Sequence, residues 1–115
     1  MHLRHERDGD ARTLATDVDV AESFLSQARG LMFRRSIPGD YALVFDFDGA
    51  DSRDVHMVFV PFAIDALWIE NEEVQRVERL SAWTGRGEAR CDTLVELPAG
   101  AADDISVGDH VWLDT

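Results

Sequence analysis

Asp65 stands in the apolar run Phe62-Ala63-Ile64-Asp65-Ala66-Leu67-Trp68-Ile69. If that run is a strand, alternation places Asp65 on one face with Ala63, Leu67 and Ile69. A carboxylate on an apolar face must be paired, hydrogen-bonded or protonated, because burying it bare is costly. Arg29 is a natural partner, since a guanidinium grips a carboxylate through two parallel hydrogen bonds. Two chemistries follow. Asp65 with Arg29 or His56 could form the centre of a small hydrolase-type enzyme. Alternatively, the pair is a strut that ties a helix end to the sheet. Paired buried charges are often structural, and the strut is favoured for that reason.

The densest polar cluster runs from Asp46 to Asp54 and holds Asp46, Asp48, Asp51 and Asp54 around Gly49. Hard cations want several carboxylate oxygens converging on one point, so this is a candidate cation-binding turn. The D-x-[DN]-x-[DN]-G pattern with a distal Glu is not met, and Asp and Gly are ordinary turn residues. His56 shares a strand face with Val58 and Val60, where a lone His is more often a hydrogen-bonded core residue than a ligand. A zinc site from His56, His110 and Asp65 lacks every usual ligand spacing: H-x-H, H-E-x-x-H and C-x-x-C are all missing. The lone Cys91 cannot form an internal disulfide, and a nucleophile would need a neighbouring base that only the fold can supply. There is no G-x-S-x-G elbow, phosphate loop or dinucleotide fingerprint. No metal or cofactor is expected. Trp68, Trp83 and Trp112 could line a groove, but aromatics in a small β-domain are first of all core.

The elements that must position these residues are mostly short strands. Residues 1–7 read as a strand ended by Asp8-Gly9-Asp10, and Thr13 to Val18 as a second. Asp19 and Glu22 suit a capping box, and Val20, Phe24, Ala28 and Leu31 follow at helical steps. Gly30 is placed to close that helix. Tyr41 to Phe47 alternates, Asp48-Gly49 turns, and Asp54 to Val60 is apolar on both faces, as a covered strand would be. Further strands are expected at 62–69, 93–97 and 110–113, with loops at 34–40 and 84–87; Val74, Val77 and Leu80 are spaced as in a helix, but their β-branching and the turn before them favour a strand at 74–80. Strands recur without intervening helices, which disfavours βαβ units. The fold expected is mainly β: a single-domain antiparallel β-sandwich or barrel, jelly-roll-like, with one short N-terminal helix.

Four segments then form a pattern in order: Arg29-Gly30-Leu31-Met32-Phe33-Arg34, Ile64-Asp65, Glu96-Leu97-Pro98-Ala99-Gly100, and Ile105-Ser106-Val107-Gly108-Asp109-His110-Val111. Together they resemble the family called domain of unknown function 192, over roughly residues 13–113. The resemblance implies one compact β-rich domain of sandwich or jelly-roll type, and no activity. One departure stands out. Many members carry Trp-Met-Lys-Asn-Thr ahead of the Ile-Asp segment, whereas His56-Met57-Val58-Phe59-Val60 stands here and keeps only the Met.

Charge bounds the partners. The 115 residues carry a formal net charge of -12; the acids are 15 Asp and 8 Glu, and all 11 basic residues are Arg. Such a chain repels the phosphates of nucleic acid. No apolar run approaches the ~18–20 residues that cross a membrane. The opening residues are charged with no apolar stretch after them, so no secretory signal is expected. An Asp-rich, Lys-free composition reads as a cytoplasmic protein of a salt-loaded cell, a haloarchaeal-type member. The function expected is a non-enzymatic binding or accessory module for a small molecule or protein. It would act as a monomer or weak homo-oligomer, with the hydrolase-type enzyme as the alternative.

Overall fold

A computed structural model describes residues 1–21 and 30–115. Eight strands follow in chain order: β1 (His2–Arg7), β2 (Asp10–Ala15), β3 (Asp17–Ala21), β4 (Tyr41–His56), β5 (Ile64–Glu70), β6 (Glu73–Leu80), β7 (Arg86–Pro98) and β8 (His110–Asp114). They make one sheet in the order β2-β1-β8-β6-β5-β7-β4-β3. Every pairing is antiparallel except β3 with β4, which is parallel.

The central strands are apolar on both faces because both faces are covered. Along β4, Tyr41, Leu43 and Phe45 enter one core while Ala42 and Val44 enter another. Along β5, Ile64, Ala66 and Trp68 join the first and Leu67 and Ile69 the second. Leu31, Met57 and Val60 cap the first core from loops. Ala102 and Ile105, from the segment between β7 and β8, cap the second. Trp68 is fully buried, and its indole N–H donates to the Arg53 carbonyl at 3.0 Å. Gly87 makes room for it, since a Cβ there would sit 2.8 Å from the ring.

Four expectations are corrected. The sheet is neither a barrel nor a two-sheet sandwich: it is one open sheet with β2 and β3 at its edges. Loops supply the cover that a second sheet would have given.

The helix does not start at Asp19, because Asp17–Ala21 forms β3 beside Tyr41–Phe45. Val18 and Val20 are β-branched and suit that pairing. Asp19 accepts a hydrogen bond from the Tyr41 hydroxyl at 2.9 Å rather than capping a helix. No helix occurs among the described residues; Phe24, Ala28 and Arg29 lie outside them.

The Asp48-Gly49 turn is also absent, since β4 runs through it. Pairing with β7 shifts register between Asp46 and Asp51, so the strand bulges without reversing. Conversely, the strand expected over 54–60 ends at His56, and Met57–Pro61 is loop.

A carboxyl-lined cavity under the sheet

The two faces of the sheet each bury a carboxyl group. Asp65, only 2% exposed, lies on the face of Leu67 and Ile69. It is held by Arg79, its pairing partner on β6, through Nε to Oδ1 at 2.8 Å and Nη2 to Oδ2 at 3.4 Å. The backbone N–H groups of Gly100 and Ala102 donate to Oδ2 at 2.9 and 3.0 Å. Four donors therefore converge on one carboxylate, and they tie β5 to β6 and to the turn after β7. The strut expected from sequence has Arg79 as the arginine seen in it; Arg29 lies outside the described residues.

Glu96 is 6% exposed and faces the other way, with Ala66 and Leu43 as its pairing neighbours. No hydrogen-bond donor meets its carboxyl among the described residues. Burial pushes this acid up to about 7, and the Arg34 guanidinium draws it only partly back. Glu96 forms part of the wall of a cavity of about 360 Å³. Leu31, Met32, Phe45, Met57 and Leu94 make much of the rest apolar. Gly30, at φ 52°, carries the backbone close to this acid: a Cβ there would lie 3.4 Å from Phe45 and 3.6 Å from Glu96 Oε1. Glycine adopts that backbone without strain. Arg53 borders the same cavity. Its guanidinium lies 3.6 Å from the Phe47 ring centroid, its Nη2 donates to the Gly49 carbonyl at 3.2 Å, and its Nε is buried without an acceptor.

His56 is exposed and borders this cavity, so it meets Glu96's side of the sheet and not Asp65. The four aspartates are divided. Asp46 and Asp48 border a hollow of about 460 Å³ on the second-core side, near Val44 and Val95, whereas Asp54 borders the Glu96 cavity. Asp54 pairs with Arg86 at 3.7 Å, and Asp51 accepts from the Ser52 N–H at 2.8 Å. Among the described residues no three His, Cys, Asp or Glu side chains are grouped to hold a metal ion, so neither the aspartate turn nor the His56–His110–Asp65 set forms one. Cys91 is buried, and its thiol is pushed up to about 11 by that burial, which leaves it a poor nucleophile. The tryptophans do not share a groove: Trp68 is core, Trp83 is 56% exposed, and Trp112 borders the second hollow.

A third buried carboxylate, Asp109, fastens the C-terminal turn to β1. It accepts from His5 Nε2 at 2.8 Å, from Arg7 Nη2 at 2.8 Å and from the Ser106 N–H at 2.9 Å. The Arg7 hydrogen bonds, chiefly, hold it well below the usual carboxylate range. Arg12 Nε donates to the other His5 nitrogen at 3.0 Å, which leaves Nε2–H to face Asp109.

The chemical content of the two sites differs. A carboxylate with four donors is saturated and holds elements together. A buried acid that meets no donor among the described residues, beside a partly apolar hollow, is ready to meet one. An open β-sheet with such a hollow beneath one face defines a small, mainly β protein with a cleft on one side of its sheet. The chain belongs to the domain of unknown function 192 family (uncharacterized ACR), matched over residues 4–113. Among curated proteins none matches. Two solved structures share the fold. One is a candidate transcription regulator from Sinorhizobium meliloti 1021, 22% identical, with TM-score 0.83, covering 96% of this chain and 91% of that one. The other is a protein of unknown function from Novosphingobium aromaticivorans DSM 12444, 18% identical, with TM-score 0.84, covering 97% and 84%.

Three of the segments that carry the family pattern are brought together by the fold. Gly30-Leu31-Met32, Ile64 and Glu96 all border the cavity, and Met57, kept from the departed run, joins them. Asp65, from the second segment, and Asp109, from the fourth, brace the opposite side. Glu96 was not singled out as a site residue from sequence, although Thr93 to Leu97 reads as an apolar strand. The argument that flags Asp65, a carboxyl on an apolar strand, applies to it equally.

Proposed function

We propose that this protein is a one-domain, non-enzymatic binding module. Its ligand would be a small, largely apolar molecule whose polar head donates a hydrogen bond to Glu96. The observation that carries this reading is a buried carboxyl that meets no donor among the described residues, on the wall of a cavity lined by both apolar and polar side chains. The cavity's size lies within the ~300–1,000 Å³ range of small-molecule pockets. A buried acceptor left unmet costs about 1–3 kcal/mol, which a donor on the ligand would recover. The hydrolase alternative needs Asp65 open to substrate, and its four donors weigh against that. The regulator description of the Sinorhizobium protein does not carry over at 22% identity. A chain of net charge -12 is also poorly suited to a phosphate backbone. The same composition supports a cytoplasmic setting in a salt-loaded cell.

The test is a fragment screen with small apolar amines, amides and alcohols in concentrated KCl, followed by amide resonances. Hits should shift Leu31, Met32, Met57 and Leu94, and Glu96→Gln should weaken the amine hits about tenfold, or ~1.4 kcal/mol. A screen that moves none of these resonances, or hits indifferent to the substitution, would sink the reading.

A further inference from the structure

Three segments meet beside the cavity: residues 30–39 and 56–64, which border it, and residues 80–87, which join them from outside. They are stitched by backbone hydrogen bonds, Phe33 N–H to the Phe59 carbonyl at 2.8 Å and Trp83 N–H to the Val60 carbonyl at 3.0 Å. On them lie Phe33, Val58, Phe59 and Trp83, exposed by 63, 47, 48 and 56%. The Phe33 and Phe59 rings stack with centroids 5.0 Å apart. Neighbouring exposed aromatics of this kind mark interaction sites more often than chance surface.

Two further observations set this face apart. Phe33, Phe59 and Trp83 all adopt left-handed backbone, at φ 69, 61 and 66°. Bulky residues there cost ~1–3 kcal/mol each, and such strain concentrates at functional sites. Then there is charge. Acids make up 23 of the 115 residues, yet these three loops contain no Asp or Glu and carry Arg34, Arg35 and Arg86. A surface that is acidic elsewhere is here apolar and basic, with Asp54 of β4 at its rim 3.7 Å from Arg86.

We propose that this acid-free aromatic face docks a polypeptide segment that presents an apolar side chain flanked by carboxylates. The aromatic rings receive the apolar anchor, Arg35 meets the acids at the rim, and Arg86 joins it by exchanging its 3.7 Å contact with Asp54. An arginine-rimmed aromatic centre is the composition of binding hot spots. A second copy of the chain fits less well, since both copies carry the same net charge and a two-fold contact would oppose arginine to arginine. The proposal does not rest on the cavity reading, because its ligand is held by the outer loops.

The test pans a phage library of random short peptides on the immobilised full chain, at the lowest KCl that keeps it folded. Enriched peptides should combine Leu, Phe or Trp with Asp or Glu. A synthetic copy of the leading peptide should shift the amide resonances of Phe33, Phe59 and Trp83. Phe33→Ser and the pair Arg35→Glu, Arg86→Glu should each weaken it about tenfold or more, or at least ~1.4 kcal/mol. Val107→Ser, at an exposed apolar residue outside the three loops, should bind like the parent, and circular dichroism should show every variant folded. The proposal is overturned by no enrichment, by enriched peptides without acids, or by binding indifferent to those substitutions. It is equally overturned by retention of a single-stranded oligonucleotide on this face, or by a dimer in sedimentation that Phe33→Ser abolishes.

Discussion

Asp65 and Glu96 lie one sheet thickness apart, since Ala66 pairs with Glu96 and its neighbour Asp65 points the other way. Their environments set opposite consequences for neutralising them. Asp65→Asn replaces an acceptor-only group by one that presents an N–H₂ toward Arg79 and the Gly100 and Ala102 amides. Leaving those donors poorly met should cost ~1–3 kcal/mol, read as a lower midpoint in guanidinium unfolding. An unchanged midpoint would remove the strut.

For Glu96 the sign is reversed. Its acid is raised from the ordinary 4.5 to about 7 in the folded chain. Between those values the unfolded chain has already lost a proton that the folded chain keeps. Stability therefore falls as pH rises through that window, by on the order of 3 kcal/mol, and levels off above it. Glu96→Gln should flatten this slope, measured in concentrated KCl so that overall repulsion does not imitate it. Asp109, held low, contributes its own change only below the ordinary carboxylate range, outside the window.

Strands were legible where alternation was clear, as at Tyr41–Phe45, or where β-branching and a flanking turn outweighed a spacing of three that suits a helix, as at Glu73–Leu80. Legibility failed where a local signal had a non-local competitor. Asp19 looks like a helix cap, but Val18 and Val20 find the edge of β4. Asp48-Gly49 looks like a turn, but a bulge absorbs it. The contact of Arg79 with Asp65 was hidden for the same reason. Counting back from the pair Ile69–Val74 in an even hairpin brings Asp65 opposite Glu78, a like charge. The bulge between Trp68 and Ile69 slips the pairing by one and puts Arg79 there instead. The loop at Phe59 was read as strand because its residues are apolar; its left-handed backbone has no sequence signature. That strain gives a prediction. Asn tolerates left-handed backbone better than an aromatic residue does, so Phe59→Asn should stabilise the fold by roughly 0.5–1 kcal/mol. The readout is a higher melting temperature. A lower one would mean that the stack on Phe33 outweighs the strain.

At the scale of the whole molecule the charges form a field more than a set of pairs. Ion pairs bind some of the arginines to acids, as Arg90 to Glu70 and Arg76 to Glu78. Both pairs are partly exposed, and such pairs are worth little individually. Most of the acids exceed what 11 arginines could neutralise, and the net charge of -12 is confined to a body with a radius of gyration of 12.8 Å. Self-repulsion of this kind opposes the compact state more than the expanded one. Raising KCl from about 0.1 M to molar levels shortens the screening length from ~10 Å to ~3 Å, which is less than the spacing of most surface charges. The exposed ion pairs weaken under the same salt, so the two effects compete. With acids outnumbering bases two to one, relief of repulsion should win. The melting temperature should then rise between 0.1 and 3 M KCl by at least ~4–8 °C, the equivalent of about 1 kcal/mol for a domain of this size. Potassium chloride is the salt to use, because sulfate would strengthen apolar burial by exclusion and blur the cause. A melting temperature that stayed flat across that range would show that the acids are balanced locally, and the case for a salt-loaded cell would fall with it.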